Sequence, residues 1–391
     1  FDPTPPPAPP QPVWRGDQDS LTILSLNTFL LTVNVIFQVH RKPNLEVRAQ
    51  ALATWLGSLK PAEVPDVIVL MEILSFAAEA MMRRLCSERW TKNAVGGAPV
   101  FQCDPGSLFA SATRVNNPTR AVNPRKGGGN VVLAKKGHTL DSATDTVFDE
   151  PASAGANKGF WVVRVMKGLQ PYWVVGTHAQ ANAGAKEAQV RRAQFQQIRA
   201  VVAKRVPEGG RLMYAGDMNV MADEYQGMLQ ALGAPGSPAR APPLEGRGFW
   251  LTLDDNVTFS TDIDRNHYVH HSERDLGNQH YDWIATPGPQ DVFEAPRRTR
   301  QQVVPVQSDY CFPSDAQGGT FADDLSDHFG VLAELCYSAD EAYCENARVG
   351  PLANHRGAAG TPGLPDCPAP HAPQSCQSWC VQAGGHRGVV I

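Results

Sequence analysis

The chain has 391 residues, 42% of them hydrophobic, enough apolar material for a substantial buried core in one or two globular domains. Its formal net charge is −4, with acids and bases mixed along its length, so it lacks the basic excess of a protein that grips nucleic acid through phosphates. There is no apolar run of about 18 residues, which excludes a membrane-spanning helix from the expectation.

Residues 1–19 open as FDPTPPPAPPQP, a Pro-rich polar leader expected to be extended and poorly ordered. It has neither the basic nor the apolar region of a signal peptide and reads as the start of a processed chain or as an artificial boundary. From Leu21 the character changes: LTILSLN predicts a strand. Residues 44–60 carry helical periodicity, with Asn44 as N-cap and Pro61 beyond the end. DVIVLME, 66–72, is a buried strand closing on a carboxylate, and helical character returns over 75–88.

Strands follow at 130–137, 159–166 and 171–178, then a helix over 186–205 and a buried strand in RLMYAGDMN, 211–219. A helix over 221–232 leads into a Pro/Gly-rich loop, 232–248. YDWIATP, 281–287, and HFGVLAELC, 328–336, complete the strands. From about 338 the composition turns to Gly, Pro, Ala and Cys, marking an appended extension over 338–391. The pattern interleaves helices and strands without a strict βαβ repeat and sets several strands side by side. That fits a layered α/β domain over 20–337 with mixed sheets rather than a doubly wound parallel sheet.

Eight cysteines are present, none in a CxxC pair or zinc-finger spacing. They could be buried thiols of a cytosolic protein. Their crowding into a Pro/Gly-rich tail favours disulfides and a secreted protein. Cys86 and Cys103, neighbours in sequence, form the expected pair, and the other pairings stay open.

Several apolar strands end in polar residues: Asn27, Glu72, His178, Asp217 with Asn219, Asp282, and the pair Asp327 and His328. Each alone is more often a turn residue or helix cap than a site residue. Together they form an acceptor-rich set suited to a hard divalent cation.

The order LSLN (to Asn27), VLME (to Glu72), GTHAQ (176–180), GDMN (216–219), YDWI (281–284) and SDH (326–328) resembles the endonuclease/exonuclease/phosphatase superfamily across residues 20–337. NKGF at 157–160, GTHAQA, the helix bearing Arg191, Gln194 and Ile198, and GDMNV are similar to the neutral and bacterial sphingomyelinases within it. The resemblance implies a four-layer sandwich, two mixed β-sheets flanked by helices, with the Cys-rich extension appended.

It also implies roles. Glu72 would ligate Mg²⁺, or another divalent ion such as Mn²⁺ or Co²⁺, supported by Asn27, Asp327 and His328. His328 would be the general base, oriented by Asp282, with Asp217 positioning the attacking water. His178 and Asn219 would donate to phosphate oxygens as charge builds. Lys158 is a further phosphate candidate, although Asp149 and Glu150 upstream of it do not match the animal-enzyme spacing.

The implied reaction is hydrolysis of sphingomyelin, or a lysophospholipid, to a phosphocholine product at a phospholipid surface by a secreted monomer. Two alternatives stand beside it: a secreted nuclease of the same superfamily, and a non-catalytic lipid- or host-surface binding protein. Phe29 to Phe37 offer apolar residues for membrane contact but read better as core. Residues 288–325 are mostly polar, with YCFP (310–313) as a possible apolar tip, and NHYVHH (266–271) reads as a surface loop.

Overall fold

The computed structural model describes residues 16–30, 32–35, 38–41, 45–86, 91–95, 98–103, 109–114, 129–149, 158–220, 224–232, 280–288, 291–313 and 321–346. In chain order a short 3₁₀ turn leads to β1 (Ser20–Asn27), the hairpin of β2 (Thr32–Val35) and β3 (Gln38–Arg41), α1 (Leu45–Gly57), β4 (Val67–Met71) and α2 (Phe76–Cys86). Six strands follow: β5 (Thr91–Val95), β6 (Ala98–Gln102), β7 (Phe109–Arg114), β8 (Val131–Lys135), β9 (His138–Val147) and β10 (Gly159–Lys167). Next come β11 (Gln170–His178), α3 (Ala185–Arg205), β12 (Arg211–Asp217) and α4 (Tyr225–Leu232). The last elements are β13 (Asp282–Ala285), β14 (Arg298–Val304), β15 (Gln307–Pro313), β16 (Phe321–Asp324), β17 (Gly330–Cys336) and α5 (Glu341–Asn346).

Among the described residues the strands form two main sheets, an eight-stranded one in the order β14-β17-β1-β4-β8-β7-β6-β5 and a five-stranded one in the order β13-β12-β11-β10-β9. Both are mixed. β1 runs parallel to β4 and β11 parallel to β12, whereas their outer neighbours pair antiparallel.

The period-2 alternation of side chains divides the apolar residues into layers. Ile23, Val69, Trp161, Val174 and Met213 pack between the sheets. Leu24, Leu26, Ile68 and Leu70 face α1 and α2 on one outside, and Val162, Val175 and Tyr214 face α3 and α4 on the other. Helix, sheet, sheet and helix therefore stack as the four-layer sandwich that the resemblance implied.

The structure adds strands where no apolar run announced them. β14, an edge strand with polar residues, pairs antiparallel with β17, and β15 with β16 makes a hairpin that contains YCFP. Phe29 and Leu30 are buried, as a core reading requires. The expected Cys86–Cys103 disulfide is present, and Cys336 pairs with Cys344 across the anticipated boundary at 338. Gly16–Asp19, within the anticipated leader, forms the 3₁₀ turn, whose Asp19 binds Arg211 at 2.9 Å. No described helix is long and apolar enough to cross a membrane. Asn44, residues 266–271 and the tail residues His355, His371, His386, Cys367, Cys376 and Cys380 lie outside the described residues.

At the start of β4 a buried Asp66 ties the two sheets together. Its Oδ2 accepts from the Thr22 backbone N–H (2.9 Å) and from Lys167 Nζ (2.9 Å), and its Oδ1 lies 2.8 Å from His138 Nε2. Burial alone would raise the Asp66 pKa, but His138 and Lys167 outweigh it and hold the carboxyl well below the usual range. A depressed carboxylate pKa adds stability that is present above the unfolded value and lost as pH falls through the folded one. Asp66→Asn, which leaves Lys167 buried beside a neutral group, is expected to cost about 3–5 kcal/mol in urea unfolding at pH 7. The gap between the two proteins should close as pH drops below the ordinary carboxylate value of 3.8. A gap of constant size from pH 7 to 3 would rule out an ionised Asp66 as the tie.

Candidate active site

Strand alternation explains why most of the site residues meet. β1 sends Leu21 and Ile23 between the sheets, so Asn27 falls on the same face at the strand's end. Tyr172 and Val174 do the same for His178 on β11, Met213 and Ala215 for Asp217 on β12, and Ile284 for Asp282 on β13. Register then brings them level, pairing His178 with Asp217 and Asp217 with Asp282. The result is a crevice between the sheets at the ends of β1, β4, β11 and β12.

Two backbone exceptions complete it. By alternation Glu72 would follow Ile68 and Leu70 toward the helices, but its φ of 60° breaks the pattern at the strand end. Asn219 likewise has φ 52°. In GDMN, Gly216 sits at φ 146°, where an added Cβ would lie 1.8 Å from the Thr177 carbonyl oxygen, so only glycine fits.

The side chains interlock through short polar contacts. His328 Nδ1 lies 2.6 Å from Asp282 Oδ2, and its Nε2 is 4.0 Å from Asp327 Oδ1. Asn27 Nδ2 donates to Asp217 Oδ2 at 3.0 Å, while the Asn219 backbone N–H donates to Asp217 Oδ1 at 2.9 Å. Lys158 Nζ donates to His178 Nε2 at 2.7 Å and also to the Ala179 carbonyl. That same carbonyl accepts from Asn219 Nδ2 at 3.3 Å. Ser326 of SDH donates to the Asn27 carbonyl at 2.6 Å and accepts from the His328 N–H, tying the last loop to the first strand.

Burial and charge set the protonation states. Burial pushes the His178 pKa down to about 3, with Lys158 adding to the effect, so this imidazole is neutral. Burial would lower His328 as well, but Asp282, Asp327 and Asp217 overcome it and raise its pKa well above 6.5. Lys158 is lowered by burial despite Asp217 and Glu72, and Glu72 is raised by burial and by Asp327.

The donor set fits a hard divalent cation. Glu72 Oε2 is buried with no hydrogen-bond partner, and Asp327 and Asp217 surround it with further negative charge. Asp217, Asp282 and His328 also offer ligand atoms within 4.8 Å of one another. Within that trio the Asp282–His328 hydrogen bond already engages Nδ1, so the trio suits an oriented imidazole, and Glu72 is the better cation ligand. The Asn27 amide oxygen accepts the Phe29 N–H at 3.1 Å and keeps one lone pair.

All nine expected side chains, Asn27, Glu72, Lys158, His178, Asp217, Asn219, Asp282, Asp327 and His328, come together here, Glu72 through the charges around it rather than a hydrogen bond of its Oε2. Asp149, one of the two acids considered for Lys158, is exposed, and its N–H donates to Gln197. Three supporting residues escaped the sequence reading. Fully buried Arg48 of α1 donates to the carbonyls of Phe29 (2.7 Å) and Leu325 (2.9 Å), holding the loops that carry Asn27 and SDH. Asn130 Nδ2 and Thr177 Oγ1 both donate to the Gly159 carbonyl, at 2.9 and 3.2 Å, fixing the backbone beside Lys158. The signal for Asn130 was a lone amide residue opening an apolar strand, GNVVLA.

A two-sheet sandwich with an acidic, Asn- and His-lined crevice at the strand ends defines a DNase I-like protein. The chain belongs to the Endonuclease/Exonuclease/phosphatase family, whose sequence profile it matches over residues 26–328. It is 36% identical over 91 residues to a Sphingomyelinase C of Listeria ivanovii, and 34% identical over 111 residues to one of Leptospira interrogans. These stretches span 22% and 26% of this chain but only 27% and 20% of those relatives. The crystal structure of Sphingomyelinase C from Streptomyces griseocarneus superposes with a TM-score of 0.57 at 24% identity, covering 81% of this chain and 99% of that one. A Staphylococcus aureus beta toxin with bound magnesium ions gives 0.57 at 18% identity, over 80% of this chain and 99% of the other. Those two likenesses establish the fold.

Proposed function

We propose that this protein is a divalent-metal-dependent phosphodiesterase that hydrolyses sphingomyelin to ceramide and phosphocholine at a phospholipid surface outside the cell. The observation that carries the reading is the Asp282–His328 pair, 2.6 Å apart, in a crevice that also holds the unpartnered Glu72 oxygen. The relatives named Sphingomyelinase C favour this substrate over a nucleic acid, and so does the net charge of −4. The two disulfides among the described residues suit an oxidising compartment.

In this reading water attacks phosphorus and its proton passes to Nε2 of the neutral form of His328, whose share grows as pH rises toward the raised pKa that Asp282, Asp327 and Asp217 impose. Asp282, on Nδ1, orients the ring and stabilises the imidazolium as it forms. Asp217, held by Asn27 and by the Asn219 N–H, aligns the water. Because His178 Nε2 is occupied as an acceptor, Lys158 and Asn219 are the donors nearest the phosphate. Mg²⁺ held by Glu72, with Asn27 and Asp327 beside it, would supply positive charge to the phosphate oxygens. The phosphorus–oxygen bond to ceramide breaks, and its oxygen takes up a proton to leave as the alcohol.

The test is phosphocholine release from sphingomyelin vesicles with Mg²⁺ and with EDTA, beside a plasmid-nicking assay. Release that needs Mg²⁺, with the plasmid intact, is the expected result. Nicking without release would move the protein to the nucleases, and silence in both would overturn the hydrolytic reading.

A further inference from the structure

We infer that Arg191 of α3 is a positioning residue that sets the phosphate-facing end of the site from beneath, an inference that rests on the phosphodiester reading above. Its side chain is fully buried, behind the sheet that carries His178 and Asp217. Nη1 donates to the Gln180 carbonyl at 2.9 Å and to the Asn182 carbonyl at 2.7 Å. Nε and Nη2 bind both carboxylate oxygens of Glu224, Nε at 2.7 Å. A buried guanidinium is costly unless it is paired and hydrogen-bonded, and here two contacts go to the loop after His178 and two to the Glu224 carboxylate.

That loop, Ala179–Asn182, leaves β11 directly after His178. Gln194, one turn along α3 from Arg191, accepts the Gln180 N–H at 2.9 Å, so α3 holds both the N–H and the carbonyl of Gln180. Asn182 sits at φ 71°, a left-handed conformation that its carbonyl contact with Arg191 helps hold. Glu224 stands immediately before α4, the element that follows β12 and Asn219 in the chain. Arg191 thus ties the loop after His178 to Glu224 at the start of α4.

The consequence lies at Ala179. Its N–H donates to the Asp217 carbonyl at 2.9 Å, and its carbonyl accepts from both Lys158 Nζ and Asn219 Nδ2. The two donors assigned to the phosphate therefore hang from one carbonyl, one residue from the peptide that Arg191 and Gln194 fix. Lysine at position 191 keeps a charge but cannot grip two carbonyls and a carboxylate at once, since an ammonium lacks the planar five-donor fork. Loss of that grip lets Ala179 move, and catalytic geometry tolerates little such movement.

The experiment compares wild type, Arg191→Lys and Glu224→Gln by two independent measurements. The first is kcat and KM for phosphocholine release from sphingomyelin vesicles with Mg²⁺. The second is the ¹⁵N–¹H signature of the His178 ring, assigned with His178→Asn, in protein whose melting temperature and circular dichroism establish folding. In wild type, Nε2 should report as a hydrogen-bonded acceptor with the proton on Nδ1. Both variants should remain folded, lose about tenfold or more in kcat with KM changed less than about threefold, and alter the His178 signature.

Folded variants with wild-type kcat and an unchanged His178 signature would overturn the proposal. So would a kcat loss that only tracks the fraction folded, or one that leaves His178 unchanged. If wild type itself releases no phosphocholine, the substrate reading fails, and the His178 signature alone decides whether Arg191 positions the loop.

Discussion

His328→Ala is expected to lower kcat for phosphocholine release by about 10²- to 10⁴-fold while leaving the fold intact. Its imidazole has the Asp282 carboxylate at 2.6 Å on Nδ1, which leaves Nε2, 4.0 Å from Asp327, as the nitrogen for the reacting proton. No apolar core is lost with it, because the strands around it are filled by Ile23, Val331 and Ala333 between the sheets. Asp282→Asn supplies the companion measurement. The asparagine can occupy the same space but can present its NH₂ to Nδ1, favouring the wrong tautomer, so a kcat loss of similar order is expected. A native circular dichroism spectrum at the assay temperature with these losses would assign the pair to chemistry, since removing the partner of buried Asp282 lowers the melting temperature by itself. Near wild-type turnover in His328→Ala would remove His328 from the mechanism.

Glu72→Gln should separate metal binding from folding. Glutamine keeps the shape and removes a buried carboxylate oxygen that has no hydrogen-bond partner and faces Asp327 and Asp217. Metal-free protein should therefore become more stable, by on the order of 1–3 kcal/mol. Wild type should gain about 2.7 kcal/mol when Mg²⁺ reaches a hundred times its dissociation constant, and Glu72→Gln should gain almost nothing. Calorimetry in EDTA and in Mg²⁺ reads both effects without any substrate. An equal Mg²⁺ response in the two proteins would take Glu72 out of the cation site.

These effects have a common origin in the geometry of strand ends. A strand that alternates inward and outward delivers its last inward residue to the crevice at no extra conformational cost, which is how Asn27, His178, Asp217 and Asp282 arrive. Glu72 and Asn219 are different, because each needs a left-handed residue at the exit, φ 60° and 52°, to reach the same place. Arg48 and Arg191, one in each helical layer, brace the loops that leave β1 after Asn27 and β11 after His178 by binding their carbonyls. The site is thus carried by the sheets and locked by the helices.

Much of this was legible in the chain itself. The long apolar strands, the helix over 186–205, the Asp/Asn/His strand ends and the Cys86–Cys103 pair follow from composition and local spacing, because burial and alternation leave direct marks on residue type. The polar edge strand β14 and the hairpins left no such mark, since their pairing is satisfied by backbone groups whatever the side chains are. Lys158 could not be resolved from its sequence neighbours, and its partner proved to be His178, twenty residues away across two strands. The eight cysteines did not reveal that Cys336 would join Cys344. Residue chemistry and strand order determined which groups this protein has for its crevice. Only the tertiary structure decided which of them touch, because register, left-handed exits and buried arginines act between segments far apart in the chain.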